Sequence, residues 1–207
     1  MRKRQSGFSL IELLVVIAII MVVAAMATPS IMNAMDGIRL RSSASEVAGI
    51  MQRCRQRAVR DNRYYTVKPA TVTGARAAYV DLNYNDVFDA GAPAPEPMIQ
   101  LSQSVTVVTA GAPNTANLIG QCCTTFAPQN ANILPSFNAR GLPCVSPGGN
   151  PPPANSVCNI RDAGGNTVGF VYYMNQTRAF GALGWAAVSV TPAGRIRVWT
   201  YDGATWQ

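Results

Sequence analysis

Four sets of residues in this 207-residue chain have types and spacings that could do chemistry. Glu12 is the only charge in residues 8–27, an otherwise apolar run. A carboxylate in hydrocarbon costs about 2.5–3.5 kcal/mol on insertion scales, and such residues are functional by default. Asp81, Asn83, Asn85 and Asp89 set oxygen donors at alternate positions, as calcium loops do. That run lacks the glycine at its sixth position and carries Ala92 where an EF-hand has glutamate, and Asp and Asn are also ordinary turn residues. Arg195 and Arg197 alternate with Ile196 and Val198, so an extended strand puts both arginines on one face with Trp199 and Tyr201. A nucleic-acid binder uses a face of this kind; a solvated strand with arginines stacked over aromatics has the same pattern. The fourth set is five cysteines: Cys54, Cys122, Cys123, Cys144 and Cys158.

What is missing narrows the chemistry as much as what is present. The chain has no histidine, which removes Ser-His-Asp and Cys-His nucleophilic sites, HExxH zinc enzymes and imidazole proton shuttles. No CxxC pair offers zinc or redox chemistry, and no glycine-rich phosphate loop precedes a helix. The expectation is a protein that is not an enzyme and has no resident cofactor, calcium at 81–89 being the one candidate. Hydrophobic residues make up 48% and charged residues 13%, which excludes a disordered polar chain. Setting aside the cations Arg2, Lys3 and Arg4 leaves +4 of the formal +7, a mildly basic body far from a polyelectrolyte.

The elements that must position these groups follow from periodicity. As a helix, residues 8–27 span roughly 30 Å, the hydrocarbon thickness of a bilayer. The Arg2–Arg4 cluster then stays cytoplasmic and the bulk of the chain is exported. Ala25-Met26-Ala27 also fits a signal-peptide cleavage site, which would release a soluble secreted domain cut after Ala27. Pro29 kinks or loosens the helix without ending it. Beyond it, Ala44, Val47, Ala48, Met51, Cys54 and Ala58 keep a helical stripe to about Arg60. Short β-type runs follow at 64–67, 75–82, 98–101, 105–109, 133–137, 169–174, 185–191 and 195–201, the last two joined by Pro192-Ala193-Gly194 as a hairpin. The segment between Cys144 and Cys158 is a proline- and glycine-rich loop. The fold class is α+β: one long N-terminal helix, its first half transmembrane, packed on an antiparallel β-sheet head.

Gly7-Phe8-Ser9-Leu10-Ile11-Glu12-Leu13-Leu14-Val15-Val16-Ile17 closely resembles the processing motif of type IV prepilins and type II secretion pseudopilins. The resemblance implies cleavage between Gly7 and Phe8 by a dedicated membrane prepilin peptidase and N-methylation of Phe8. It also implies that Glu12 pairs with the terminal amine of a neighbouring subunit during assembly. The C-terminal run from Trp185 to Trp199, followed by Asp202-Gly203 and Trp206, resembles the tail of the GspH/FimT group, as does Pro135-Ser-Phe-Asn-Ala-Arg-Gly141. Residues 68–129 are only loosely similar to that group. The resemblance implies a lollipop of four parts: a cleaved leader at 1–7, a transmembrane half-helix at 8–27, a periplasmic half-helix at 28–62 and a β-rich head at 63–207. It implies a minor pilin or pseudopilin in the bacterial inner membrane, with its head in the periplasm. Its partners would be other filament subunits and an inner-membrane assembly platform. FimT-type members of naturally competent bacteria bind DNA through a G-R-x-R motif, which implies DNA as a further partner through Arg195 and Arg197.

Export to an oxidising compartment favours disulfides. Cys144 and Cys158 flank a loop whose closure contributes about 3 kcal/mol. Cys122 and Cys123 are adjacent and poorly placed to bridge each other, so one of them is a candidate partner for Cys54; the connectivity stays open.

Overall fold

The computed structural model describes residues 8–91, 95–108, 111–113, 118, 125–128, 135–145, 157–158, 165, 168–177 and 183–207. One helix dominates: α1 runs Leu10–Arg60, 51 residues, and carries Pro29 inside it. At about 1.5 Å per residue it is roughly 76 Å long. Proline has no N–H to give to the preceding turn. The adjacent Thr28 hydroxyl donates to the Ala24 carbonyl at 2.7 Å, and the helix continues. It stops at a built cap. Asn62 takes the left-handed conformation (φ 51°), its N–H reaches the Val59 carbonyl and the Arg63 N–H reaches the Ala58 carbonyl. That pair of reversed bonds is a Schellman termination, with Asn in the position glycine usually fills.

Only the second half of α1 is buried. Leu40, Ser43, Ala44, Val47, Ile50, Met51, Cys54 and Ala58 face the head, at steps of three and four that keep one side of the helix turned inward. They bear out the helical stripe read from the sequence. Before Leu40 the apolar side chains are exposed, including Leu10, Ile20, Met26, Ile31, Met35 and Ile38.

Among the described residues, the head forms two sheets rather than one. The first contains β1 (Tyr65–Val72), β2 (Ala75–Asp81), β3 (Met98–Gln100), β6 (Pro135–Phe137), β7 (Pro143–Val145) and β8 (Val157–Cys158), in the order β3-β2-β1-β6-β7-β8. β1 and β2 form a hairpin through Thr73 and Gly74, both with positive φ, as a two-residue type I′ turn demands. The second sheet contains β4 (Val105–Val108), β5 (Thr125–Pro128), β9 (Val168–Thr177), β10 (Leu183–Val190) and β11 (Ile196–Tyr201), in the order β11-β10-β9-β4. β5 lies parallel to the first residues of β9, the one departure from antiparallel pairing among the described residues. The expected α+β class stands. Every strand expected from the sequence has its counterpart, while β5, β7 and β8 were not foreseen.

The main core lies where α1 meets both sheets: Val47, Ile50 and Met51 pack with Val67, Val80, Phe137, Tyr172, Met174 and Val188. A second cluster covers the opposite face of the second sheet, from Leu118, Val171, Tyr173, Ala187, Trp199 and Trp206. β9 therefore buries both its faces, Tyr172 and Met174 towards the helix, Val171 and Tyr173 away from it.

Candidate functional site: an apolar helical arm and a clamped head

The N-terminal arm is a surface before it is anything else. Its most apolar 18-residue window has mean hydropathy 3.0 and none of it is buried within the chain. Phe8 is 82% exposed. Glu12 is exposed in the first turn of α1, where the unpaired N–H groups favour a carboxylate. Phe8 lies just ahead of the extended N-cap Ser9, and Glu12 follows in the first turn. Gly7 lies outside the described residues. The arm is long and apolar enough to cross a bilayer and compatible with membrane anchoring.

The last hairpin arranges the arginine-aromatic face differently from a binding platform. Arg195 and Arg197 are exposed, and Arg195 precedes β11 rather than lying in it. Trp199 is only 3% exposed; it belongs to the second hydrophobic cluster and donates its indole N–H to the Ser189 hydroxyl at 2.8 Å. The Arg197 guanidinium carbon sits 4.3 Å from the centre of the Trp199 ring. Such a stack contributes about 0.5–1 kcal/mol at an exposed site. The tryptophan is thus covered by core and by arginine, and it is not free to stack on a base.

The loop after β2 is closed on itself. Asp81, 1% exposed, accepts the N–H groups of Tyr84 and Asp86, and the Lys68 ammonium bridges Asp81 and Asp86. Asn83 and Asn85 both turn amide nitrogens, not oxygens, towards Asp89. Glu96 accepts from the N–H groups of Leu82 and Asp89. Buried Tyr79 feels this acidity: its phenol is pushed up to about 12, by burial first and then by Asp81, Glu96 and Asp89. Among the described residues, no group of three or more His, Cys, Asp or Glu side chains could hold a metal ion. The oxygens expected to ligate calcium are spent on backbone, amides and a lysine, so the residues as arranged do not fit that ion.

The cysteines divide. Cys144 is disulfide-bonded, and the β7–β8 register sets it opposite Cys158. Cys54 is a free thiol, fully buried on the core stripe of α1, and burial pushes its titration far up. This corrects the expectation that it bridges Cys122 or Cys123: its face of the helix is filled by the main core. Cys122 and Cys123 lie outside the described residues, as does the loop between Cys144 and Cys158.

Sequence reasoning missed Arg55. From α1 its Nε donates to the Gly141 carbonyl at 3.0 Å, in the turn between β6 and β7. Gly194, in the turn between β10 and β11, rests on the same spot: a Cβ there would lie 2.7 Å from the Gly141 oxygen, 3.2 Å from Arg55 Nε and 3.3 Å from Arg55 Cζ. Both glycines have positive φ, 73° and 80°. One arginine thereby bonds a turn of the first sheet and packs against a turn of the second, and the only signal in the sequence was a glycine in each turn. The glycine of the Gly-Arg-x-Arg run serves packing.

No curated protein and no solved structure matches the chain. Residues 2–28, covering the cationic start and the exposed arm up to Thr28, match the family model for the prokaryotic N-terminal methylation motif, so the arm is similar to the N-terminal segment of chains that carry that motif.

Proposed function

We propose that the chain is a minor pilin or pseudopilin of the GspH/FimT kind, a subunit of the periplasmic filament of a type II secretion system or type IV pilus. The observation that carries this reading is the match over residues 2–28 to the methylation motif on a helix whose apolar arm is bare. In this reading prepilin peptidase cuts after Gly7, Phe8 becomes the methylated N-terminus, and residues 8–27 span the inner membrane with the head in the periplasm. Assembly moves the arm from lipid into the filament core. There the Glu12 carboxylate, which needs a cation once desolvated, meets the terminal ammonium of a neighbouring subunit. The head, packed on the second half of the helix, presents its loops to other subunits and to the assembly platform. An exported head also accounts for a disulfide at Cys144, for which Cys158 is the partner the register favours.

The test is the mature N-terminus and what Glu12 does there. Mass spectrometry of the membrane-extracted protein should find a chain starting at N-methyl-Phe8. Glu12→Val should leave insertion and cleavage intact, since it removes about 2.5–3.5 kcal/mol of insertion cost, yet abolish co-purification with the other filament subunits. A chain starting at Thr28, or full assembly of the valine variant, would overturn the proposal.

A further inference from the structure

A cleft of about 450 Å³ opens between the β1–β2 hairpin and the edge of β4, with α1 beneath it. That volume is within the roughly 300–1,000 Å³ typical of small-molecule sites. Val47 and Met51 of the helix, Val67 of β1 and Tyr172 of β9 form its buried floor. Pro69, Thr71 and Arg76 stand exposed at its mouth. The hairpin leaves the cleft open by its own register. The N–H of Val80 turns to the β3 side, towards the Pro97 carbonyl, so its cross-strand partner Val67 points its backbone groups away from β2. Pro69, two residues on, has the same orientation, and its missing N–H costs the β1–β2 ladder nothing. Proline on that edge also discourages an added strand, which argues against a peptide lying there as a further β-strand.

Arg76 gives the cleft a charge and a geometry. Its Nη1 donates to the Val105 carbonyl at 2.8 Å and to the Thr106 hydroxyl at 2.7 Å, so both hydrogens on that nitrogen are used and the guanidinium is pinned across the mouth. Among the described residues, no carboxylate pairs with it, and its Nε and Nη2 hydrogens have no acceptor. Those two nitrogens form the edge of the guanidinium that matches a carboxylate bidentately. Within the floor, Tyr172 buries a hydroxyl that has no hydrogen-bond partner among the described residues, a group that a self-contained core would satisfy.

We propose that this cleft binds a small amphiphile with an apolar body and a single carboxylate, the body lying over Val47, Met51 and Val107 and the carboxylate on the Nε–Nη2 edge of Arg76. The inference does not depend on the filament reading. Its probes are decanoate and decanol, which share a chain and differ in charge. The full chain, carrying ¹³C-methyl alanine and valine and held in phosphatidylcholine nanodiscs, is titrated with each while the methyl spectrum is followed. Decanoate should shift the methyls of Ala70 and Val107 saturably and leave those of Ala186 and Val188 in place. Loss of the charge-assisted pair should weaken decanol about tenfold, and Arg76→Gln should weaken decanoate to the same degree. Since wild-type protein alone supplies the decanoate–decanol comparison, the proposal does not hang on whether the glutamine variant folds. Equal affinities for the two probes, no shift at Ala70 and Val107, or shifts confined to the bilayer-facing Val15 and Val16 would overturn it.

Discussion

Replacing Gly194 by alanine tests whether its turn must pack directly on the Gly141 turn. Two costs add. The backbone φ of 80° is left-handed, which costs a residue with a Cβ about 1–2 kcal/mol. The new methyl would also sit 2.7 Å from the Gly141 oxygen, a backbone atom held by its own turn and by the Arg55 Nε hydrogen bond. Neither sheet can retreat without leaving the helix, so together the strain and overlap should reach about 3 kcal/mol. For a chain of this size that is roughly 6–12 °C in melting temperature. The assay is a thermal melt of the purified full chain followed by circular dichroism in the β region, beside Arg55→Ala and the double variant. Removing Arg55 relieves the contacts at 3.2 and 3.3 Å but neither the φ strain nor the clash with Gly141. Gly194→Ala should therefore keep most of its cost in the Arg55→Ala background. A single variant that melts within about 2 °C of wild type would refute the packing argument, and full recovery of the loss in the double variant would assign the clash to Arg55 alone.

Three further outcomes follow from the head. The Cys54 thiol, buried in the core and with its titration pushed up, should resist a maleimide under native conditions and react once the head is unfolded; native labelling at a rate similar to a free thiol would contradict its placement. Hydrogen bonds from Arg60, Tyr65 and Arg57 hold the Asp61 carboxyl below its usual range, so its stabilisation is present above the unfolded pKa of about 3.9 and is lost as pH falls through the lower folded value. The stability gap between wild type and Asp61→Asn, read by denaturant titration, should accordingly close below pH about 4 and stay constant from there to neutrality. Because Trp199 is buried beneath Arg197, any duplex DNA binding by the head should be wholly electrostatic. Arg195→Gln with Arg197→Gln should then flatten its log–log salt slope by about two units, without a change in tryptophan fluorescence on binding; a fluorescence change that survives in the double variant would show base stacking.

How far the sequence could be read depended on how many neighbours each residue needed to declare itself. The stripe from Ala44 to Ala58 was legible because a helix packed on a sheet buries one side at a period of 3.6, whatever the sheet's order. The last hairpin was legible because β10 and β11 alternate and a proline-glycine turn separates them. β5, β7 and β8 are two to four residues long, too short for alternation to register, and they exist because β9, β6 and β7 offer an edge. The division into two sheets was not legible either, since β9 is covered on both faces and reads only as a continuous apolar run. The arginine-aromatic face shows the same limit at a candidate site. Periodicity correctly put Arg197 and Trp199 on one side of a strand, but whether that side meets water depends on Leu118 and Trp206, which arrive from distant parts of the chain. Arg55 is the extreme case: off the helical stripe it reads as a solvated charge, and only the two turns that converge on its guanidinium make it structural. A charged residue flanking a buried stripe declares its role through the backbone carbonyl it finds, and that carbonyl belongs to Gly141, a residue that no local pattern connects to the helix.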